Sequence, residues 1–128
     1  MIKVTSRDAL KSEVVKPGTY KGRCVSYQAK TASKDSSIVH YFEIEVENSG
    51  MWYPIQDYMV SEKAAGMGKN FFLACGFPEA EWDKLVKGEA TNVDIDPNDC
   101  VNKEFKVSVI NTQFDNRTQS KAGDFFKL

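Results

Sequence analysis

The order of elements along this 128-residue chain predicts a mainly β fold: a five-stranded Greek-key barrel of the OB type, with a helical insertion between strands three and four. Three observations carry that prediction. Three strand-like segments come first, then a stretch of helical composition, then two more strands. The first strand is long and contains Gly22, which suits a barrel strand that must bend to serve both sides. The length supports one domain with a single core, residues 1–128, and argues against two.

Residues 1–16 are polar and read as a loosely packed N-terminal arm ending at the turn signal Pro17-Gly18. "TYKGRCVSYQAKT" is the first strand and "TASKDSS" a loop. "IVHYFEIEVE" is the clearest strand, with His40, Phe42, Ile44 and Val46 on its apolar face and Tyr41, Glu43, Glu45 and Glu47 on its polar one. "NSG" turns the chain into "MWYPIQDYMV", the third strand. Ser61 is placed as a helix N-cap, with Glu62 in the favourable first turn. "EKAAGMGKNFFLACG" is helical in composition and loosened by Gly66 and Gly68, and "EAEWDKLVKG" is a short helix closed by Gly88. There Trp82 precedes Leu85 and Val86 at core spacing, so it packs the helix to the barrel. "EFKVSVI" and "GDFFKL" are the last two strands.

Pairing the first two strands about Lys34 sets Gly22 opposite Val46, Cys24 opposite Ile44 and Ser26 opposite Phe42, all inward. Outward it sets Lys21 against Glu47, Arg23 against Glu45 and Tyr27 against Tyr41, and the opposite charges support the register. A two-residue Ser49-Gly50 turn then puts Tyr58 beside Tyr41 and leaves Tyr53, Ile55 and Met59 inward, at the cost of an inward Asp57. A three-residue turn buries Trp52 and Tyr58 instead. The two-residue turn is preferred. On that reading Tyr27, Tyr41 and Tyr58 form an outward aromatic row beside the loop that carries Lys30 and Lys34. Such a row is equipped to stack the bases of single-stranded nucleic acid while cations neutralise phosphates. Exposed tyrosines are also ordinary strand residues, so the row serves equally as cross-strand packing.

Length and charge narrow the function. A net charge of -1 gives no global basic field, so nucleic-acid binding has to rest on a local patch. The beginning of the chain carries no apolar run of signal-peptide length, and no segment is long enough to span a membrane. Cys24, Cys75 and Cys100 are odd in number and widely spaced, so they read as buried free thiols of a reducing compartment, and the cytoplasm is expected. Asp94, Asp96 and Asn98 open like a calcium loop, but Asp99 stands where a glycine is needed and Phe105 where a glutamate is. "GMGKN" lacks the first glycine and the Ser/Thr of a phosphate loop. Glu43, Glu45 and Glu47 face basic residues, which makes them a salt-bridged surface. His40, the only histidine, reads as a hydrogen-bonded residue near the barrel mouth. No catalytic residue, metal or cofactor is expected.

"VVKPGTYKGRCVSYQAK", "HYFEIEVENSG", "FFLACGFP" and "NKEFKVSVINTQFD" together resemble phage-encoded single-stranded DNA-binding proteins of the OB-fold type, over about residues 14–128. The resemblance is a pattern of strands, glycines and a helix, without a catalytic motif. It implies sequence-independent single-strand binding in phage replication or recombination, no catalysis, and a place in the host cytoplasm. Such proteins often carry an acidic C-terminal tail that recruits replication partners. This sequence instead ends Gly123-Asp124-Phe125-Phe126-Lys127-Leu128, which leaves recruitment of phage or host replication and recombination proteins, and homo-oligomerisation, open.

In an OB-fold, the connections between strands 1 and 2 and between strands 4 and 5 flank the ligand groove. Thr112 to Gly123 is expected to be the second of these, a mobile loop with Arg117 and Lys121 free to close over a bound strand and Phe114 as its one apolar anchor. The expected DNA-binding set is therefore Tyr27, Lys30, Lys34, Tyr41, Trp52, Tyr58, Arg117 and Lys121. Trp52, outward in the preferred register, can stack a base, fill a dimer interface or cover the stem of Glu47. Two rivals stand beside this reading: a non-catalytic β-barrel phage module that binds protein through its tyrosines, and a metal-dependent nuclease, for which no convergent carboxylate–histidine set is present.

Overall fold

The computed structural model describes the backbone of residues 1–128 and every side chain except that of Phe114. It is a strongly curled antiparallel half-barrel with a helical insertion, as the element order predicts. Strand β1 (Gly18–Thr31) pairs with β2 (Ile38–Asn48) on one side and β5 (Glu104–Phe114) on the other, and β5 pairs with β6 (Arg117–Phe126). Two short strands, β3 (Met51–Pro54) and β4 (Tyr58–Ser61), both pair with β2 in the place of the single expected third strand.

The split has a physical cause. Ser49 and Gly50 form the two-residue turn, both at positive φ, and set Asn48 opposite Met51. That pairing holds to Glu45 opposite Pro54. When it resumes at Phe42 opposite Tyr58, three residues of one strand have faced two of β2. The extra residue reverses the facing of everything beyond it. Neither turn length considered from the sequence describes both halves: Tyr53 and Ile55 turn toward the core as the two-residue turn requires, and Tyr58 does so as only the three-residue turn predicted. Met59 faces solvent, and Asp57 is spared burial.

Strand β1 carries the same device. Gly22, Arg23 and Cys24 pair with Val46, Glu45 and Ile44 as expected; the ladder then slips at Val25, and Ser26 meets Glu43 and Tyr27 meets Phe42. Gly22 is needed where it stands: a Cβ there would lie 2.8 Å from Val107 Cγ1 and 2.9 Å from the Phe105 ring.

Phe42, Phe71 and Phe105 are fully buried at the centre of the core, with Ile44, Val46, Val107 and Phe125 around them. Phe71 comes from α2 (Lys69–Ala74), which caps the open end of the half-barrel, its ring 4.7 Å from Phe42 and 4.9 Å from Phe125. A 3-10 helix, Glu62–Gly68, precedes α2 in place of one continuous helix, and Ser61 makes no side-chain cap bond. Gly68 sits against the Phe72 ring, which explains a small residue at that junction. Helix α3 (Glu79–Val86) follows, with Trp82 edge-on to Phe77 against the core while Val86 remains exposed.

The N-terminal segment touches the sheet through Arg7 and Val15. A short helix, α1 (Ser6–Lys11), is closed by a capping box between Thr5 and Asp8, and those bonds hold the Asp8 carboxyl below its ordinary value. Arg7 pairs with Glu43 and Glu45 on β2, and Val15 is buried, its N–H donated to Ser120 Oγ at 2.8 Å. No residue of α1 is itself buried, and Met1, Ile2 and Val4 are exposed.

Candidate nucleic-acid interface

The two bulges take the aromatic row apart. Tyr27 turns inward: its ring lies 5.2 Å from Phe42, and its hydroxyl bonds His40 Nδ1. The other imidazole nitrogen, Nε2, lies 3.0 Å from a Glu62 carboxylate oxygen, which can only accept. In the neutral ring Nε2 therefore carries the proton, and Nδ1 accepts the Tyr27 O–H. Burial first, then the Glu62 charge, raises the Tyr27 phenol above its ordinary value. Tyr58 also faces the core, 4.9 Å from Phe71 and 4.7 Å from Phe125, and burial followed by the Asp124 charge raises its phenol. His40 is the hydrogen-bonded mouth residue the sequence indicated. The outward row of three tyrosines is corrected to one, Tyr41.

Tyr41 stays on the outer face, paired with Gln28 on β1 and Met59 on β4. Lys30 Nζ sits 4.7 Å over the Tyr41 ring. An exposed cation–π contact of this kind contributes about 0.5–1 kcal/mol, small enough for an incoming base to displace the ammonium and leave it to a phosphate. The next rung toward the loop is Lys30, Val39 and Ser61. A cavity of about 360 Å³ opens beside it, lined by Tyr58, Met59, Ala64, Met67, Lys121 and Ala122. It lies where β4 and β6 approach without forming a ladder; the seam is held instead by Gln56 N–H to Ser120 O at 3.0 Å, Asn70 to Asp124 at 2.9 Å, and the Tyr58–Phe125 contact.

The expected long loop between the last two strands is a hairpin. Strand β5 runs on to Phe114, β6 begins at Arg117, and Asp115 and Asn116 turn the chain at φ 49 and 62. These residue types tolerate the left-handed conformation of a two-residue hairpin turn. Many polar residues are present because they clothe a two-stranded ribbon. Arg117, Gln119 and Lys121 alternate along β6 and so share one face, roughly 13 Å from first to last at ~3.3 Å per residue. The role of Phe114 as an anchor falls outside the described side chains.

Lys30, Lys34, Arg117 and Lys121 make no ion pair among the described residues, whereas Lys63 is paired with Asp35, whose carboxyl is pulled down to about 2 by that hydrogen bond and by Ser37. Trp52 stands apart. It pairs with Glu47, six residues from Tyr41 along β2, about 20 Å away at ~3.3 Å per residue, and the Arg23 guanidinium lies 4.0 Å over its ring. Around it Glu45, only 3% exposed, is held by Arg23 at 2.7 and 2.9 Å and by Arg7. Of the expected salt-bridged surface, Glu43 and Glu45 are paired but Glu45 is buried, and Lys21 reaches Glu104 on β5 at 3.5 Å and not Glu47.

The sequence reading missed Gln28, Val39 and Met59 as neighbours of Tyr41, and Arg7 as the partner of Glu43 and Glu45. A signal existed only for Arg7, in the Thr5-Ser6-Arg7-Asp8 capping box. Among the described residues no group of three His, Cys, Asp or Glu side chains is placed to hold a metal, and no helix is long and apolar enough to cross a membrane. Compared with known proteins, the chain matches no family model and no curated sequence.

Proposed function

We propose that this protein binds single-stranded DNA without sequence preference, in the phage replication or recombination setting that its resemblance implies. The observation that supports this best is Tyr41 with Lys30 over its ring on the outer face of an open β half-barrel. Lys34 follows β1 in the loop beyond Thr31, and Lys121 lines the seam cavity with Met59, the β4 neighbour of Tyr41. Arg117 shares the Lys121 face of β6, and none of these cations has a carboxylate partner among the described residues. One aromatic ring stacks one base, Met59 and Val39 extend the apolar floor, and the cations track phosphates. With a net charge of -1, attraction is local and screened within about 10 Å at 0.1 M salt, so affinity falls as salt rises. Trp52 is left out of this path, and Tyr27 and Tyr58 support it from beneath.

A second reading, a protein-binding module, is favoured by Met67 at 83% and Met59 at 56% exposure around the seam cavity. Titration of intrinsic fluorescence with oligo-dT and with duplex of equal length, at low and high salt, separates the two. Single-strand preference with strong salt dependence is expected. Equal or better affinity for duplex overturns the stacking model, and no response at all favours the protein partner.

A further inference from the structure

The three cysteines are far apart in sequence and close in space. Cys75 caps α2, Cys100 ends a 3-10 turn (Pro97–Cys100), and Cys24 on β1 accepts the Asn102 N–H through its carbonyl at 2.8 Å. Cys75 and Cys100 line one cavity of about 370 Å³ with Phe72, Phe77, Ile95 and Lys103. Cys24 is not part of that lining and is 0% exposed. Cys75 lowers the Cys100 thiol against the effect of burial, and Cys100 together with burial raises Cys75. Burial, then the neighbouring Cys100, pushes Cys24 up to about 12. Two thiols on the wall of one cavity, each shifting the other, are the parts that dithiol chemistry needs.

We propose that Cys75 and Cys100 are a redox pair that closes to an intramolecular disulfide when peroxide enters their cavity, with Cys24 taking no part. The Cys100 thiolate attacks one peroxide oxygen and the O–O bond breaks. A sulfenic acid forms on Cys100, and the departing hydroxide leaves as water with the proton released from the thiol. The Cys75 sulfur then attacks the sulfenic sulfur. The S–S bond forms, the S–O bond breaks, and the second hydroxide leaves as water with the Cys75 proton. Two thiols give up two electrons and two protons, and hydrogen peroxide becomes two waters. A dithiol reductant reverses the bond. The bridge closes residues 75–100, with α3 inside, into a loop tied to the edge of the core.

The test uses the whole chain, treated with hydrogen peroxide, quenched, denatured, alkylated with iodoacetamide and mapped by mass spectrometry. Oxidised monomer should accept one alkyl group, on Cys24, and release a Cys75–Cys100 cross-linked peptide; dithiothreitol should restore all three alkylation sites and lower Tm back to the reduced value. In Cys75→Ala, Cys100 should be trapped by dimedone as its sulfenic acid; if that variant does not fold, the result on the unmodified chain decides alone. Three alkylated thiols after peroxide, a bridge that includes Cys24, or bridges only between molecules would each overturn the proposal.

Discussion

From Gly22 to Cys24, β1 and β2 pair in simple alternation, and charged side chains stack outward: Arg23 on Glu45, with Arg7 from α1 and the Trp52 ring closing over them. Beyond Val25 the same two strands pair one residue out of step, and the outward face holds Gln28, Lys30, Val39 and Tyr41, with no carboxylate partner for the lysine among the described residues. The base end spends its charge on itself, and the mouth end keeps it available. A single extra residue in a strand is enough to move a tyrosine from the outer face to the core, because side-chain facing has a period of two.

The largest effect expected at the mouth is structural. Phe42→Ala removes the fully buried ring that touches Tyr27, Phe71 and Phe72, and should cost about 3–5 kcal/mol in chemical denaturation. A loss below 1 kcal/mol would place the core elsewhere.

The tyrosines sharpen the contrast within the mouth itself. Tyr41→Ala should weaken oligo-dT binding by about 1–3 kcal/mol and leave Tm nearly unmoved. Tyr58→Ala should do the reverse, lowering stability by roughly 2–3 kcal/mol by removing a half-buried ring packed on Phe71 and Phe125. Exchange of these two phenotypes in parallel melts and titrations would return Tyr58 to the outer face.

Replacing both Arg117 and Lys121 with Ala removes up to two phosphate contacts. The log–log salt slope for oligo-dT should flatten by roughly 1.4, at ~0.7 per contact on single strands. Stability should hardly change, because both side chains are exposed and unpaired among the described residues. An unaltered slope with unaltered affinity would take the hairpin out of the interface.

The smallest effect concerns pH. The folded state keeps the Tyr27 and Tyr58 phenols protonated to higher pH than the unfolded chain does. Their contribution is complete below the unfolded phenol value of about 10 and is lost as pH rises through the higher folded values. Tm should therefore begin to fall above about pH 10, and Tyr58→Phe should make that fall shallower. A wild-type Tm that is flat from pH 9 to 11 would mean the rings are solvated.

Much of the architecture was legible because it depends on local pattern. Alternation from His40 to Glu47 identified β2, Ser49-Gly50 identified its turn, and opposite charges at Arg23 and Glu45 identified the register at the base. The spacing of the cysteines, with no paired motif, identified free buried thiols. What stayed hidden has one physical origin. A bulge at Val25, or between Pro54 and Tyr58, carries no composition of its own; it exists because the curled sheet must keep Phe42, Ile44 and Phe71 in contact. The tip at Asp115-Asn116 looked like the middle of a long polar loop because hydrogen bonds between polar strands leave no hydrophobic period to read. The chain by itself determined which residues can face one another at the base. Only the tertiary structure decided that Tyr41 alone of the three tyrosines faces out, since the bulge at Val25 turns Tyr27 onto Phe42, and Tyr58 packs on Phe71 of α2 and Phe125 of β6.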